Sequence, residues 1–348
     1  MDRRLILAVA GSGKTTFLIN QLDEKRRFLI VTYTQNNLAH IRESIIEKYG
    51  SVPHNITIKS YFQFLIQDCY RPFLKYNYRA SGICWKQPSE ETMRFSRNSR
   101  DFYLTNGGSL YHNRIAKMCQ QFCCTTKIKQ RLEKFYDVFM VDEAQDLGGH
   151  DFNLMLDILP NIDCLLVGDF YQNTFDTSRD GNTNVHLYNN YAKYKKLWEK
   201  AGILVDETLL NTSYRCSPQT CDFVRENLQI DIFSYREDNT MVKWVDNQEE
   251  ADSLYYNNTI VKLFYEDSVK YDCYSENWGK SKGIDRFNDV CVVLNARTFD
   301  AFQKQKVAEL SSSTKNKLYV ACTRAKGNIY LVSDKFYKKY KQGIFAKS

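Results

Sequence analysis

A glycine-rich segment, AVAGSGKT at residues 8–15, constrains this chain more than any other feature. It follows an apolar run at residues 5–9 and precedes an amphipathic run at residues 15–22, so a strand, a loop and a helix are predicted in that order. Glycines at positions 11 and 13 let backbone N–H groups turn towards an anion without a Cβ clash, and a helix N-terminus adds positive potential. This arrangement predicts a loop that binds phosphate groups.

The side chains of the loop suit a nucleoside triphosphate with its metal ion. We expect Lys14 to reach the β and γ phosphates and the Thr15 hydroxyl to hold Mg²⁺. Ala8 stands where the usual pattern has its first glycine. The residues predicted to bind the nucleotide here are Ala10, Gly11, Ser12, Gly13, Lys14, Thr15 and Thr16.

An acidic segment after another apolar run supplies a second part of this site. The run at residues 137–141 leads into DEAQD at residues 142–146. Mg²⁺ needs a carboxylate anchor at the end of a buried strand beside such a loop, and Asp142 fits that role. Glu143 is one residue further on, where it could polarise the attacking water.

Short apolar runs alternate with longer amphipathic runs, which predicts an α/β fold with parallel sheets covered on both faces. Strands are predicted at residues 5–9, 28–32, 137–141, 164–167, 290–294 and 329–332, and helices at 15–22, 37–49, 61–69, 151–159, 218–228 and 316–325. Residues 70–110, rich in Arg, Lys, Tyr and Phe, and residues 229–280 break this rhythm and are predicted to be irregular.

Composition excludes several classes of protein. No apolar run approaches the ~20 residues of a membrane span, and the first residues lack a signal-peptide pattern, so we expect a cytoplasmic protein with no membrane partner. The eleven cysteines are predicted to be reduced and mostly buried. No paired C-x-x-C is present, so a helix face is predicted in place of a zinc site at Cys119, Cys123 and Cys124. The net charge of +7 is compatible with a polyanionic partner such as a nucleic acid, but it does not by itself indicate one.

The DEAQD segment and the AVAGSGKT loop resemble those of the UvrD/Rep/PcrA helicases of superfamily 1. Other segments resemble the remaining motifs of that family in the same order: YTQN at 33–36, TIKSYF at 57–62, VGDFYQ at 167–172, SYR at 213–215, SKGID at 281–285 and YVACTRA at 319–325. The resemblance runs from residue 8 to residue 325, nearly the whole chain. It implies two RecA-like P-loop domains that bind ATP and Mg²⁺ between them.

The resemblance also implies roles for individual residues. Gln172 would sense the γ phosphate, and Arg215 and Arg324 would act as arginine fingers. Tyr214 would stack on the nucleotide base, and Asp285 would lie near the ribose. The residues implied to contact single-stranded DNA are Tyr33, Thr34, Lys59, Ser60, Phe175 and Lys282.

The chain departs from the family in three places. Only seven residues precede Ala8, so the adenine-reading segment of the family is not found there, and GTP or mixed use stays open beside ATP. Thr177 stands where the family has a second DNA-stacking aromatic after Phe175. The aromatic and basic residues at 70–103 either compensate as a strand-binding surface or form a packed insertion. The accessory insertions of the family are short here.

These features predict a first RecA-like core at residues 1–66 and 125–205, with a small accessory insertion at 67–124. The second core is predicted at residues 206–348, with no room for the large second accessory domain. The predicted function is an ATP-dependent translocase or helicase on single-stranded DNA, or on DNA with a single-stranded tail. The alternative is a helicase-like ATPase subunit that acts with a nuclease partner in anti-phage defence, resembling the helicase-like subunit of Gabija, with little unwinding of its own.

Overall fold

The computed structural model describes residues 3–160, 162–174 and 180–342. The chain divides into two compact units. The first comprises Met1–Leu7, Lys14–Gly168 and Asp176–Asp206. The second comprises Ala8–Gly13, Asp169–Phe175 and Glu207–Ser348.

A parallel sheet forms the centre of the first unit. The strands of this unit are β1 (Arg4–Leu7), β2 (Phe28–Thr32), β3 (Ile56–Ser60), β4 (Gly82–Cys84), β5 (Ser109–Tyr111), β6 (Val138–Val141), β7 (Cys164–Gly168) and β8 (Leu204–Asp206). Six of them form one sheet in the order β3-β2-β6-β7-β1-β8, in which every neighbouring pair is parallel. β4 and β5 form a separate parallel pair.

Helices connect these strands, as parallel pairing requires. They are α1 (Lys14–Asn20), α2 (Gln35–Tyr49), α3 (Tyr61–Phe64), α4 (Arg71–Phe73), α5 (Lys75–Tyr78), α6 (Arg100–Tyr103), α7 (Ile115–Gln121), α8 (Thr125–Phe135), α9 (Gly149–Ile158) and α10 (Tyr191–Lys200). A π-helical segment, Leu65–Tyr70, joins α3 to α4. Residues 67–124, the predicted insertion, lie within the first unit.

The central strands of this sheet are apolar throughout. All residues of β2, β6 and β7 are buried, which is the pattern of a sheet covered on both faces. Because β6, β7 and β1 are neighbours and run in the same direction, their carboxyl ends lie at one edge, where ligands of parallel α/β sheets bind.

A second parallel sheet forms the centre of the second unit. Its strands are β9 (Thr212–Ser213), β10 (Phe233–Ser234), β11 (Val242–Val245), β12 (Val261–Phe264), β13 (Ser275–Asn277), β14 (Val290–Leu294) and β15 (Ile329–Ser333). Five of them pair in the order β11-β15-β14-β12-β13, and β9 pairs with β10. The helices are α11 (Pro218–Leu228), α12 (Gln248–Tyr256), α13 (Ala296–Gln303) and α14 (Ser312–Cys322).

Both faces of this second sheet are covered. Along β14, Val290, Val292 and Leu294 belong to one apolar cluster. Cys291 and Val293, which alternate with them, belong to another on the opposite face. The period of two along a strand explains this division. The predicted α/β fold with parallel sheets is thereby confirmed.

The prediction that residues 229–280 are irregular was wrong. They contain α12 and the strands β11, β12 and β13. β12 was missed because Lys262 interrupts its apolar sequence. The Lys262 side chain is fully buried, and its ammonium donates to Asn257 O at 2.8 Å and to Ile260 O at 2.9 Å. Burial lowers the pKa of Lys262. In the described part of the chain, no helix is long and apolar enough to cross a membrane.

Candidate active site

Two glycines of the predicted phosphate loop adopt left-handed backbone conformations. Gly11 has a φ of +71° and Gly13 a φ of +78°. A Cβ on Gly11 would lie 2.6 Å from Arg215 Cβ and 2.8 Å from Ser213 Oγ, whereas a Cβ on Gly13 would meet no described atom within 4 Å. Gly11 is therefore required by its φ and by the close approach of Arg215, and Gly13 by its φ alone.

Backbone hydrogen bonds hold residues 8–13 within the second unit. The N–H of Val9 donates to Leu210 O at 3.0 Å. The N–H of Tyr214 donates to Gly11 O at 2.8 Å. The loop is thus anchored to the segment that contains the predicted arginine finger at position 215.

Two residues predicted to bind the nucleotide have groups that already bind the protein. The Ala10 N–H donates to the Tyr319 hydroxyl at 2.8 Å. The Ser12 hydroxyl donates to Val9 O at 2.9 Å, and Ser12 is buried. These two groups therefore shape the loop, which leaves phosphate contacts to other donors of residues 11–16.

In the first unit, Thr15 and Asp142, the two residues predicted to hold Mg²⁺, lie beside each other. The Thr15 hydroxyl donates to Asp142 Oδ2 at 3.5 Å. Asp142 is only 2% exposed. Burial and the neighbouring Glu143 carboxylate raise the pKa of Asp142, while the Lys14 ammonium opposes them. The Lys14 ammonium therefore compensates the buried carboxylate only in part.

This environment fits a Mg²⁺ ion. Asp142 Oδ1 is buried and has no hydrogen-bond partner among the described residues. A hard cation prefers oxygen ligands and keeps several waters and phosphate oxygens, so one carboxylate and one hydroxyl suffice from the protein. Thr15 and Asp142 would supply them. No group of three or more His, Cys, Asp or Glu side chains suited to a metal occurs in the described residues.

Glu143 has a strained backbone and a specific side-chain partner. Its φ of +58° is left-handed, which is costly for a residue with a Cβ and is concentrated at functional sites. The Gln145 amide donates to the Glu143 carboxylate. A Cβ on Gly168 would lie 2.6 Å from Gln145 Oε1. The glycine at the end of β7 therefore leaves the space in which Gln145 orients the predicted general base.

Side chains of α14 bond to the segment after β7. Tyr319 donates to Asp169 Oδ2 at 3.0 Å, and its side chain is fully buried. Gln172, the predicted γ-phosphate sensor, is 4% exposed, and its N–H donates to Asp169 O at 2.9 Å. Phe175, the predicted DNA-stacking residue, lies outside the described residues, as does Thr177.

The two predicted arginine fingers share a carboxylate. Asp285 Oδ1 lies 2.5 Å from Arg215 Nη2 and 3.5 Å from Arg324 Nη1. Arg215 also donates to Thr323 O at 3.4 Å. Arg324 is 2% exposed, and its Nε has no hydrogen-bond partner among the described residues. Burial, with the charge of Arg215, lowers the pKa of Arg324 to about 10. A buried guanidinium with an unused donor is suited to an incoming anion.

Two further predicted nucleotide residues are exposed. Tyr214 is 59% exposed and lies against Tyr235, with ring centroids 4.8 Å apart. Its ring is open to stacking by a nucleobase. Thr16 is exposed on α1.

The predicted nucleic-acid residues of the first unit do not all line one cavity. Tyr33 and Ser60 line the same cavity. Tyr33 is stacked on Tyr61, with ring centroids 5.5 Å apart. Thr34 is exposed and caps α2 by accepting the Asn37 N–H.

The two lysines of this group are not among the residues that line that cavity. Lys59 donates to Asp68 Oδ2 at 2.6 Å, and only 14% of its side chain is exposed. It therefore serves an ion pair inside the first unit. Lys282 is half-buried in the second unit.

Three residues that contact predicted site residues of their own unit had no role assigned from the sequence. Gln145 was visible only as part of DEAQD, Tyr319 only as the first letter of YVACTRA, and Asp169 only within VGDFYQ. Their spacing relative to Gly11, Lys14 and Glu143 along the chain carries no sign of the hydrogen bonds that they form.

A P-loop nucleotide-binding enzyme is the class that this geometry defines. Residues 2–177 match the AAA domain family, and residues 109–333 match the viral superfamily 1 RNA helicase core domain family. The second match covers more than half of the chain, and the chain therefore belongs to the superfamily 1 helicases, a class of ATP-hydrolysing enzymes. That part of the predicted resemblance is confirmed, whereas the UvrD/Rep/PcrA branch stays a prediction.

Solved helicase structures have a similar fold. A complex of arterivirus nonstructural protein 10 (helicase) with DNA has 13% identity and a TM-score of 0.51, over 96% of this chain and 62% of that one. A crystal structure of arterivirus nonstructural protein 10 has 13% identity and a TM-score of 0.50, over 96% and 61%. The PRRSV helicase has 15% identity and a TM-score of 0.46, over 99% and 55%. This chain thus spans 55 to 62% of their lengths. No curated protein matches it.

Proposed function

We propose that the chain hydrolyses ATP to move along single-stranded nucleic acid. The observation that carries this proposal is the pairing of Thr15 with Asp142 at 3.5 Å, beside a buried carboxylate oxygen that has no protein partner among the described residues. A phosphate loop and a carboxylate arranged in this way bind a nucleoside triphosphate with its metal.

Each residue has a distinct task in the hydrolysis step. Lys14 and the N–H groups of residues 11–16 bind the β and γ phosphates. Glu143, oriented by Gln145, accepts a proton from the water that attacks the γ phosphorus, and ADP leaves. Mg²⁺, held by Thr15 and Asp142, would supply charge neutralisation at the phosphates.

Arg215 and Arg324 would stabilise the negative charge that develops on the γ phosphate during hydrolysis. Because Arg324 is buried and Asp285 is its exposed partner, an incoming phosphate can replace that carboxylate as the anion beside the guanidinium. Positioned guanidinium groups are among the strongest contributors to phosphoryl transfer. Tyr214 would stack on the base of the same nucleotide.

Single-stranded DNA is the proposed track, with single-stranded RNA as the second substrate to test. A helicase of similar fold was solved with DNA, and the matched family description names RNA helicases. The aromatic residues of the first unit suit either one, because every base has a face on which an aromatic ring can stack. A subunit governed by a nuclease partner would instead have an ATPase rate that neither strand raises.

The test is the steady-state ATPase rate with no strand, with oligo(dT) and with oligo(U). We expect strong stimulation by at least one strand, and loss of hydrolysis in Lys14→Ala and Glu143→Gln. Lys25→Ala and Glu133→Gln, which change exposed residues of the first unit, serve as matched controls. Hydrolysis at the wild-type rate by either site variant would overturn the proposal. An unstimulated rate that a co-purified protein raises would support the subunit alternative.

A further inference from the structure

A cavity of about 460 Å³ lies within the first unit, at the end of β3 and beside β4. This volume is in the range of pockets that bind small ligands. Its lining residues are Tyr33, Gln35, Ser60, Phe62, Gln63, Ile66, Gln67, Arg71, Ile83 and Trp85. The predicted strand-binding segments around Tyr33 and Ser60 supply one wall, and the segment from Arg71 to Trp85 supplies another.

Aromatic rings contact one another edge to face in this cavity. The centroids of Tyr33 and Phe62 are 5.7 Å apart at 71°, and those of Phe62 and Trp85 are 4.6 Å apart at 81°. Trp85 is nevertheless 61% exposed. The neighbouring His112 contacts β4, the strand that precedes Trp85, because His112 Nδ1 lies 3.2 Å from Cys84 O. A large ring that is fixed in place but exposed offers a stacking surface for a planar ligand.

The rim of the cavity is polar and carries positive charge. None of the ten lining residues is acidic. The Arg71 guanidinium is exposed and forms no hydrogen bond or ion pair with the described residues. Gln63 accepts the Ser60 N–H at 2.8 Å through Oε1, which leaves its amide group as a donor. An exposed aromatic face with amide donors and one cation nearby matches a nucleotide unit better than an apolar peptide.

An unusual helix forms the polar wall. The π-helical segment Leu65–Tyr70 carries Ile66 and Gln67 into the lining, and Arg71 follows it directly. π-helical turns are rare and occur frequently at functional sites. The chain thus departs from regular α-helix at the place where it contributes polar groups to the cavity.

We propose that this cavity binds one unstacked base of a single-stranded nucleic acid, which stacks on Trp85 while its phosphate faces Arg71. The proposal rests on the proposed function for the identity of the ligand. It adds a specific base-binding residue, Trp85, on the segment between β3 and β6, where the sequence left a strand-binding surface and a packed insertion as alternatives. Gln63 and Gln67 would donate to the edge of the base.

Two binding measurements, both made without ATP, test this site. The first follows intrinsic fluorescence. Trp198 and Trp278 are fully buried, so Trp85 and Trp244 are the two exposed tryptophans of the four in the chain. Oligo(dT) should quench the wild-type signal, and Trp85→Phe should remove most of that quenching.

The second measurement is the fluorescence anisotropy of labelled strands of twelve nucleotides. In this series of strands, each base in turn is replaced by an abasic unit. Removal of one base should weaken wild-type binding roughly 5- to 150-fold, the usual range for a base stacked on an aromatic side chain. Trp85→Ala should weaken binding of the intact strand by a similar factor and abolish the sensitivity at that position. Arg71→Gln should weaken binding and lower its salt dependence.

The control is Tyr76→Ala, because Tyr76 is an 84% exposed aromatic of the same unit that does not line the cavity. Equal affinities and equal abasic profiles for Trp85→Ala and Tyr76→Ala would overturn the site, whatever the ATPase rate. If the wild-type protein hydrolyses no ATP but Trp85→Ala still weakens strand binding, the base-binding site stands and the proposed motor function does not. No binding of either DNA or RNA strands by the wild-type protein would overturn both.

Discussion

Tyr319 joins the phosphate loop to Asp169 through a single buried hydroxyl, which accepts the Ala10 N–H at 2.8 Å and donates to Asp169 Oδ2 at 3.0 Å. A phenol can both accept and donate, so one oxygen satisfies two groups that lie far apart in the sequence. Tyr319 belongs to α14, which also leads to Arg324. The helix that positions the buried arginine therefore also positions the loop backbone.

Tyr319→Phe should impair hydrolysis more than folding. It removes two hydrogen bonds, each worth about 0.5–1.5 kcal/mol, and leaves the Ala10 N–H without its acceptor. We expect the ATPase kcat/KM to fall about tenfold while circular dichroism stays unchanged. Tyr330→Phe, on β15 of the same unit, is the control. Equal kcat/KM values for the two variants would contradict a positioning role for Tyr319.

Alanine substitutions in the loop should differ in severity. Gly11→Ala adds a methyl group that would meet Arg215 Cβ at 2.6 Å, besides the cost of a left-handed residue. Gly13→Ala carries only the backbone cost of a left-handed residue that has a Cβ, about 1–2 kcal/mol. We expect Gly11→Ala to lose binding of a fluorescent ATP analogue and Gly13→Ala to retain part of it. The reverse order of affinities would show that the contact with Arg215 does not limit the loop.

Arg324→Lys should reduce turnover with little change in nucleotide binding. Lysine keeps the charge but cannot present the planar fork of donors. A loss of about 10³-fold in kcat is expected for a guanidinium that stabilises the transferring phosphoryl group, and the Kd for ADP should change little. Arg297→Lys, at an exposed position of α13, is the matched control. A wild-type kcat in Arg324→Lys would remove this residue from the catalytic machinery.

The pH dependence of stability should contain a contribution from His150. Burial, with the charge of Lys117, lowers the pKa of His150 to about 4, whereas an unfolded histidine titrates near pH 6.5. Between these values the unfolded chain binds a proton that the folded protein does not, so stability falls as the pH falls from about 6.5 towards 4. His150→Gln should make the drop in melting temperature between pH 7 and pH 5 smaller. His54→Gln, at an exposed position, should leave that drop unchanged.

The sequence predicts best those elements whose pattern is set locally. β2 and β14 have the predicted bounds, because five consecutive apolar or β-branched residues in each are buried on both faces. α11 also has its predicted bounds, since Ser217 caps it and Pro218 begins it. β12 could not be predicted, because a residue pattern does not show that the turn just before the strand directs the Asn257 and Ile260 carbonyl groups at the Lys262 ammonium.

The candidate site divides in the same way. Lys14, Thr15 and Asp142 follow from motif spacing, since a phosphate loop fixes the positions of its own lysine and hydroxyl. The partner of Lys59 does not follow from spacing. Asp68, nine residues further on, takes up its ammonium group, and a sequence motif cannot show whether a lysine faces a ligand or an internal carboxylate. The cavity at Trp85 depends on the pairing of β4 with β5, which no local pattern announces.

The π-helical segment Leu65–Tyr70 sets how the cavity wall responds to a change in chain length. A π-helical turn holds about one residue more than an α-helical turn. Deletion of one residue from this segment would therefore convert it to regular α-helix and leave Arg71 close to its present orientation. Deletion of one residue from a regular α-helix would instead rotate every following side chain by about 100° around the helix axis. A single-codon deletion here removes the extra residue itself, a change that side-chain replacements at the same positions cannot imitate.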